Sequence, residues 1–95
     1  MSRGFVKEDD GYEPPGRFGL PERTDPSYDA ASALVLLEAA KHGDTHSAEL
    51  ATGYRFGDPH LHRHVKKLMK KEEERPELEQ DTRFIRVAKR FLEQG

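Results

Sequence analysis

The fold is decided by residues 25–71, which read DPSYDAASALVLLEAAKHGDTHSAELATGYRFGDPHLHRHVKKLMKK. Two Gly-Asp corners, Gly43-Asp44 and Gly57-Asp58, divide this stretch into three segments that we predict to be helices. The first, residues 26–42, contains the most apolar run of the chain, ALVLLEAA. Apolar residues occur on nearly every side of this helix, which is typical of a helix buried at the centre of a domain.

The ends of these helices carry start and stop signals. Asp25 is expected to cap the first helix, with Pro26 at its first position, because proline has no N–H to leave unpaired there. Gly43 supplies the left-handed residue that ends this helix. Asp58 and Pro59 repeat the start signal for the third helix.

The second predicted helix is short and runs from about Thr45 to Tyr54, with Asp44 or Thr45 as its cap. If Gly53 is helical, it weakens the last turn by ~1 kcal/mol relative to alanine. Tyr54 and Phe56 follow in the corner, where we expect both rings to pack against the core.

The third predicted helix has one apolar face and a basic remainder. Its apolar residues are spaced i, i+4, i+7 and i+8, as on one side of a helix: Leu61, Val65, Leu68 and Met69. Residues 59–71 contain five basic residues and no acidic residue: Arg63, Lys66, Lys67, Lys70 and Lys71. The basic residues are therefore expected to face solvent.

A fourth helix is predicted after the charged break at residues 72–76. It starts near Glu77 or Asp81 and ends at Gln94, and Leu78 is expected to cover the core at its beginning. Its apolar residues follow a 3.6-residue period: Phe84, Ile85, Val87, Ala88, Phe91 and Leu92. Because this period is helical, we predict no β-wing, and the fold class is all-α with a compact four-helix domain over residues 25–95.

Residues 1–24 are predicted to form a disordered tail. They contain three prolines, four glycines and isolated apolar residues that follow no helical or strand period. The chain has no cysteine, and its start lacks the apolar segment of a secretory signal. We therefore expect a cytoplasmic protein with no membrane segment.

The formal net charge of the chain is −2, which by itself does not favour general binding to nucleic acid. Its distribution is uneven. Residues 25–58 contain two basic and six acidic residues, net −4, whereas residues 59–71 have five basic residues, net +5. Residues 72–95 contain five basic and seven acidic residues, net −2. The third helix thus has a cationic field that the flanking segments do not share.

Residues 33–71 are similar to the tri-helical, helix-turn-helix core of bacterial transcription regulators. The similarity rests on the short second helix, with SAELA at 47–51, and on RHVKKL at 63–68, which matches the end of a recognition helix. Such a helix places its early residues at base edges and its basic residues at phosphates. The resemblance implies a nucleic-acid site with His60 and His62 toward bases, and with Arg63, Lys66, Lys67, Lys70 and Lys71 toward phosphates.

The first ten residues, MSRGFVKEDD, resemble the opening of some bacterial proteins of the Gre-type transcript-cleavage factor family. Those proteins continue into an acidic-tipped coiled coil and a β-rich domain, and no later part of this chain matches either. The resemblance covers no catalytic position. It implies only that the tail docks on the transcription machinery.

Five histidines lie between residues 42 and 64. His60 and His64 are spaced i, i+4 and could share a metal ion, with Asp58 or His46 as a third ligand. Polar surface histidines account for the same spacing, and the chain has neither an HExxH motif nor a cysteine ligand. We therefore assign no metal site and no cofactor.

The remaining patterns do not favour catalysis. Acidic residues occur in runs such as Asp9-Asp10 and Glu72-Glu73-Glu74, which are typical of solvated surfaces rather than of tuned acid–base pairs. We predict a small non-enzymatic regulatory protein that contacts nucleic acid in transcription. The alternative is a protein-interaction module that binds an acidic protein partner through the same basic helix or through the N-terminal tail.

Overall fold

A computed structural model describes residues 19–94 of the chain. Residues 1–18 of the predicted disordered tail lie outside the described residues. The resemblance to Gre-type proteins, at residues 1–10, falls in the same part. From Gly19 to Thr24 the chain is irregular and contains turns.

Four α-helices make up most of the described part, and no β-strand occurs between Gly19 and Gln94. The helices are α1 (Tyr28–Lys41), α2 (Thr45–Thr52), α3 (His62–Glu73) and α4 (Thr82–Gln94). Short 3-10 turns, Pro59–Leu61 and Glu77–Glu79, precede α3 and α4. The predicted all-α fold with four helices and no β-wing is confirmed for this part of the chain.

Helix α1 is central, because it packs on each of the other three helices, and α3 also packs on α4. The core consists mainly of aliphatic and aromatic side chains from all four helices: Ala33, Leu36, Leu37, Ala48, Leu61, Val65, Phe84, Val87, Ala88 and Phe91. The sequence predicts that α1 is buried on nearly every side. In the structure one of its sides reaches solvent, since 42% of Leu34 is exposed.

The connection between α2 and α3, and the packing of α3, differ from those of a typical helix-turn-helix unit. Such a unit joins its two helices by a turn of about 3–4 residues. Here residues 53–58 separate α2 from the 3-10 turn, and α3 makes its main contacts with α1 and α4 rather than with α2. The helical core is established, and its helix-turn-helix character stays a prediction.

The corner between α2 and α3 is fixed by its aromatic residues, as predicted. The backbone N–H of Phe56 donates to Glu49 Oε2 at 2.8 Å, and the Phe56 ring meets the edge of Phe91 with centroids 4.8 Å apart. Gly57 has φ +93°, and a Cβ at this position would lie 2.6 Å from Cβ of Gln94. The corner therefore needs glycine here in order to approach the end of α4.

The prediction that Asp25 and Pro26 start the first helix is wrong. Helix α1 begins two residues after the proline, at Tyr28. The Asp25 carboxylate accepts hydrogen bonds from the backbone N–H and the hydroxyl of Ser27, at 2.8 and 2.7 Å. The aspartate therefore closes a local turn in front of the helix. Asp58, by contrast, accepts from the N–H of His60 at 2.8 Å and caps the 3-10 turn that leads into α3.

Two further expectations are corrected by local backbone structure. Gly53 does not weaken the last turn of α2. It has φ +81° and ends the helix at Thr52 as a left-handed cap. Leu78 does not cover the core, since it is fully exposed. Leu78 lies in the 3-10 turn before α4. The conformation of this connection is held by the side-chain amide of Gln80, which donates to the carbonyls of Glu73 and Arg75, both at 2.9 Å.

Ser32 is the one fully buried side chain in the described part whose polar atom has no hydrogen-bond partner. We expect Ser32→Ala to raise the free energy of unfolding by about 1 kcal/mol. The substitution removes an unsatisfied buried hydroxyl and introduces the best helix-forming residue. Urea unfolding followed by circular dichroism measures the change.

Ser27→Ala is the matched control, because the Ser27 hydroxyl is bonded to Asp25 and its removal should bring no gain. A loss of stability in Ser32→Ala would mean that the buried hydroxyl has a partner.

Candidate nucleic-acid interface

Helices α3 and α4 form an antiparallel hairpin. The His62 ring at the start of α3 meets the edge of Phe91 near the end of α4, with centroids 5.9 Å apart. At the other end, the N–H of Asp81 donates to Glu72 Oε2 at 2.8 Å. Because α1 packs on both helices, it covers one side of the hairpin and leaves the other side to solvent.

The outer surface of α3 is basic along its whole length. Arg63, Lys67 and Lys70 are spaced i, i+4 and i+7, so they form one stripe. This stripe lies opposite Leu61 and Val65, which are fully buried. All three cations are exposed, as is Lys66 beside them. The predicted solvent exposure of these four residues is confirmed.

A shallow groove runs between α3 and α4. It is lined by Glu73, Gln80, Thr82, Ile85, Arg86 and Lys89. None of these residues belongs to α1, so the groove opens away from the central helix. Lys66 and Lys70 share the side of α3 that carries Glu73, since the three are spaced i, i+4 and i+7. Cations from both helices therefore border the same groove.

We call these cations the basic hairpin face. The face consists of Arg63, Lys66, Lys67 and Lys70 of α3 with Arg86 and Lys89 of α4. All six side chains are exposed, and none forms an ion pair with another residue between Gly19 and Gln94. Three exposed carboxylates reduce the positive charge of this face: Glu73 lines the groove, and helical spacing places Glu74 one turn beyond Lys70 and Glu93 one turn beyond Lys89.

Lys71 faces a different direction from the other predicted lysines. It lines a second groove on the α1 side of α3, together with Glu38, Glu72 and Asp81. Asp81 is ion-paired with Lys41 and caps α4 by accepting from the N–H of Phe84 at 3.0 Å. The hydrogen bond from Lys41 holds the pKa of Asp81 below its usual value. A phosphate beside Lys71 would therefore meet the Asp81 carboxylate in the same groove.

The two histidines predicted to face bases are engaged within the fold. His62 is half-buried, and its Nε2 lies 3.1 Å from the carbonyl oxygen of Gly57. His60 stacks on Tyr54 with centroids 5.7 Å apart, and its Nε2 lies 3.1 Å from Asp29 Oδ2. The Tyr54 hydroxyl donates to the same carboxylate, which lowers the pKa of Asp29 and raises the pKa of Tyr54 to about 12.

The cations of α4 were missed in the sequence analysis because charges were summed over residues 72–95. That segment combines an acidic connection with a basic helix. Residues 72–81 contain six acidic and one basic residue, whereas residues 82–94 contain four basic and one acidic. Counting charges by predicted helix would have found Arg86 and Lys89. The other two basic residues of α4, Arg83 and Arg90, are also exposed. Arg90 Cζ lies 5.6 Å from the centroid of the Phe56 ring.

The described residues contain no cluster of three or more potential metal ligands. The metal site considered for His60 and His64 therefore has no complete ligand set between Gly19 and Gln94. No helix in this range is long and apolar enough to cross a membrane.

Comparisons of the chain with protein-family models, curated proteins and solved structures found no match.

Proposed function

We propose that the protein is a small non-enzymatic regulator that binds nucleic acid through the basic hairpin face. The observation that carries this proposal is the group of six exposed cations on two adjacent helices, none of them ion-paired within the described residues. Cations that are free of partners release the counterions of phosphates when they bind, and this release drives binding of proteins to nucleic acids.

The charge of the whole chain does not contradict this proposal, because residues 59–71 (net +5) and 72–94 (net −2) together carry a net charge of +3, even though the connection at 72–81 is acidic. Residues 25–58, net −4, form α1, α2 and the following corner. The six cations of the basic hairpin face lie on the side of the hairpin away from α1, whereas Lys71 lies on the α1 side. The resulting charge asymmetry favours an orientation with α3 and α4 toward a polyanion and the remainder of the domain away from it.

The proposed place in transcription comes from the resemblances at residues 33–71 and 1–10. It would make the protein an accessory factor that docks with its tail and holds nucleic acid with its helices. The geometry of the basic hairpin face supports the contact between the helices and nucleic acid.

The proposal predicts a steep dependence of binding on salt. A fluorescently labelled duplex of mixed sequence, followed by anisotropy, should bind in the micromolar range at low salt. Neutralisation of about five phosphates gives a slope of about −4.5 in a plot of log K against log salt, and about 500-fold weaker binding at ~200 than at ~50 mM.

The alternative function is binding to an acidic protein partner. Absence of duplex binding at low salt would reject the proposed function and favour that alternative, in which the same cations meet carboxylates. A slope near zero would show that apolar contacts rather than phosphates dominate the complex.

A further inference from the structure

The start of α3 is poorly suited to reading bases. Recognition helices contact base edges with about 3–4 side chains near the helix N-terminus. Here His60 is stacked on Tyr54 and His62 is half-buried against Phe91. Arg63 is the only cation in this first turn. The start of α3 therefore does not offer the several free side chains with which a recognition helix reads bases.

The hairpin also has no platform for unpaired bases. Proteins that bind single strands stack successive bases on exposed aromatic rings. Within residues 19–94, Tyr28, Phe84 and Phe91 are buried. Tyr54 and Phe56 are half-buried and pack on other rings of the domain. No phenylalanine or tyrosine ring between Gly19 and Gln94 is therefore exposed beside the basic hairpin face, and the exposed His60 ring is stacked on Tyr54.

The cations form two rows rather than one. Along the helix axes, the α3 row from Arg63 to Lys70 spans about 11 Å and the α4 pair, Arg86 and Lys89, spans about 5 Å, at ~1.5 Å per residue. Packed helices have axes about 8–10 Å apart. The grooves of a duplex are about 6 and 12 Å wide and have a phosphate strand on each side. Two rows at this separation match phosphates from both strands, whereas a single strand offers one line of charge.

From these observations we infer that the basic hairpin face binds the phosphates of both strands of a double helix without reading base sequence. This inference rests on the proposed function, since it specifies the form of nucleic acid that the same face binds. The α3 row supplies Arg63, Lys66, Lys67 and Lys70, and the α4 row supplies Arg86 and Lys89. In the groove between the rows, the Gln80 amide nitrogen is already bonded to the carbonyls of Glu73 and Arg75. The other uncharged polar side chain that lines the groove, Thr82, is short.

The inference is tested with the full chain and a panel of labelled nucleic acids, measured by anisotropy at one low salt concentration. The panel contains duplexes of equal length with mixed, A·T-rich and G·C-rich sequence, and a single strand with the same number of phosphates. The duplexes should differ from one another by less than about threefold. The mixed duplex should bind at least about tenfold more tightly than the single strand, because only the duplex engages both rows.

Two neutralising variants test the requirement for both rows. Lys66→Gln with Lys70→Gln removes charge from α3, and Arg86→Gln with Lys89→Gln removes it from α4. Each should weaken duplex binding by at least about tenfold at low salt. Arg55→Gln, an exposed cation in the corner before α3, is the control and should change binding by less than about twofold. Thermal melting monitored by circular dichroism verifies that each variant is folded.

Three results would overturn the inference while leaving the proposed function in place. They are equal or tighter binding of the single strand, variation among the duplexes of more than about tenfold, and undiminished binding by the α4 variant. Failure of every member of the panel to bind would instead reject the proposed function, and the inference with it.

Discussion

Replacement of both Lys66 and Lys67 by glutamate is expected to abolish the proposed binding of nucleic acid and to leave the domain folded. Both side chains are exposed on α3 and form no ion pair within the described residues. Each substitution removes a phosphate contact and places a carboxylate where a phosphate would lie. Loss of one contact already weakens binding by about tenfold at low salt, so reversal of two should exceed a hundredfold. Anisotropy with a mixed-sequence duplex measures the loss.

Single substitutions provide the matched control for charge. Lys67→Glu and Arg55→Glu each change the net charge by the same amount, but only Lys67 belongs to the basic hairpin face. Equal losses for the two would show that binding follows the total charge of the protein rather than this face. If instead the double variant unfolds, the two lysines are structural and the orientation assigned to α3 is wrong.

Phe91→Ala is expected to unfold the domain. Phe91 is fully buried, and its ring contacts both Phe56 of the corner and His62 of α3. Truncation of a buried phenylalanine costs about 3–5 kcal/mol. A core of this size, without disulfides or metal, supplies only about 3–5 kcal/mol of net stability. Far-ultraviolet circular dichroism should show loss of helix at room temperature, without a cooperative thermal transition.

Leu50→Ala removes a comparable apolar side chain from a position that is 71% exposed. It should change the free energy of unfolding by less than ~0.5 kcal/mol. A cooperative transition in Phe91→Ala at the same temperature as in the unmodified protein would contradict the packing described for α4.

The helices were largely predictable because their period and stop signals are local. The apolar face of α3 was found from the spacing of Leu61 and Val65, and both are fully buried. Gly43 has the predicted positive φ, +76°. The start of α1 was not predictable in the same way. Asp25 can either cap a helix or close a turn with Ser27, and the sequence pattern is the same for both.

The backbone conformation at helix ends was not predictable from apolar spacing. Leu78 fits the apolar period before α4, but the 3-10 turn at Glu77–Glu79 directs it to solvent. Gly53 reads as a weak point inside a helix, yet the chain needs a left-handed residue there to turn toward Tyr54. Both errors come from treating a helix end as part of the helix.

The candidate site was predictable in part. Exposure of Arg63 and Lys66 follows from the helical period of α3 alone. That Lys71 lies in a different groove, beside Glu38 of α1, depends on how α1 crosses the hairpin. The contact of the His62 ring with Phe91 likewise depends on how α4 packs on α3. Sequence spacing places residues on a helix, but only packing determines what each side of that helix meets.

The central claim is that α3 and α4 together contact nucleic acid, and an amide-resolved NMR titration tests it most directly. Spectra are recorded with and without a short mixed-sequence duplex, at low and at moderate salt. If the basic hairpin face binds the duplex, shifts should be concentrated in residues 62–73 and 82–94 and should disappear as salt is raised. An unchanged spectrum, or salt-resistant shifts concentrated in α1 and α2, would contradict it.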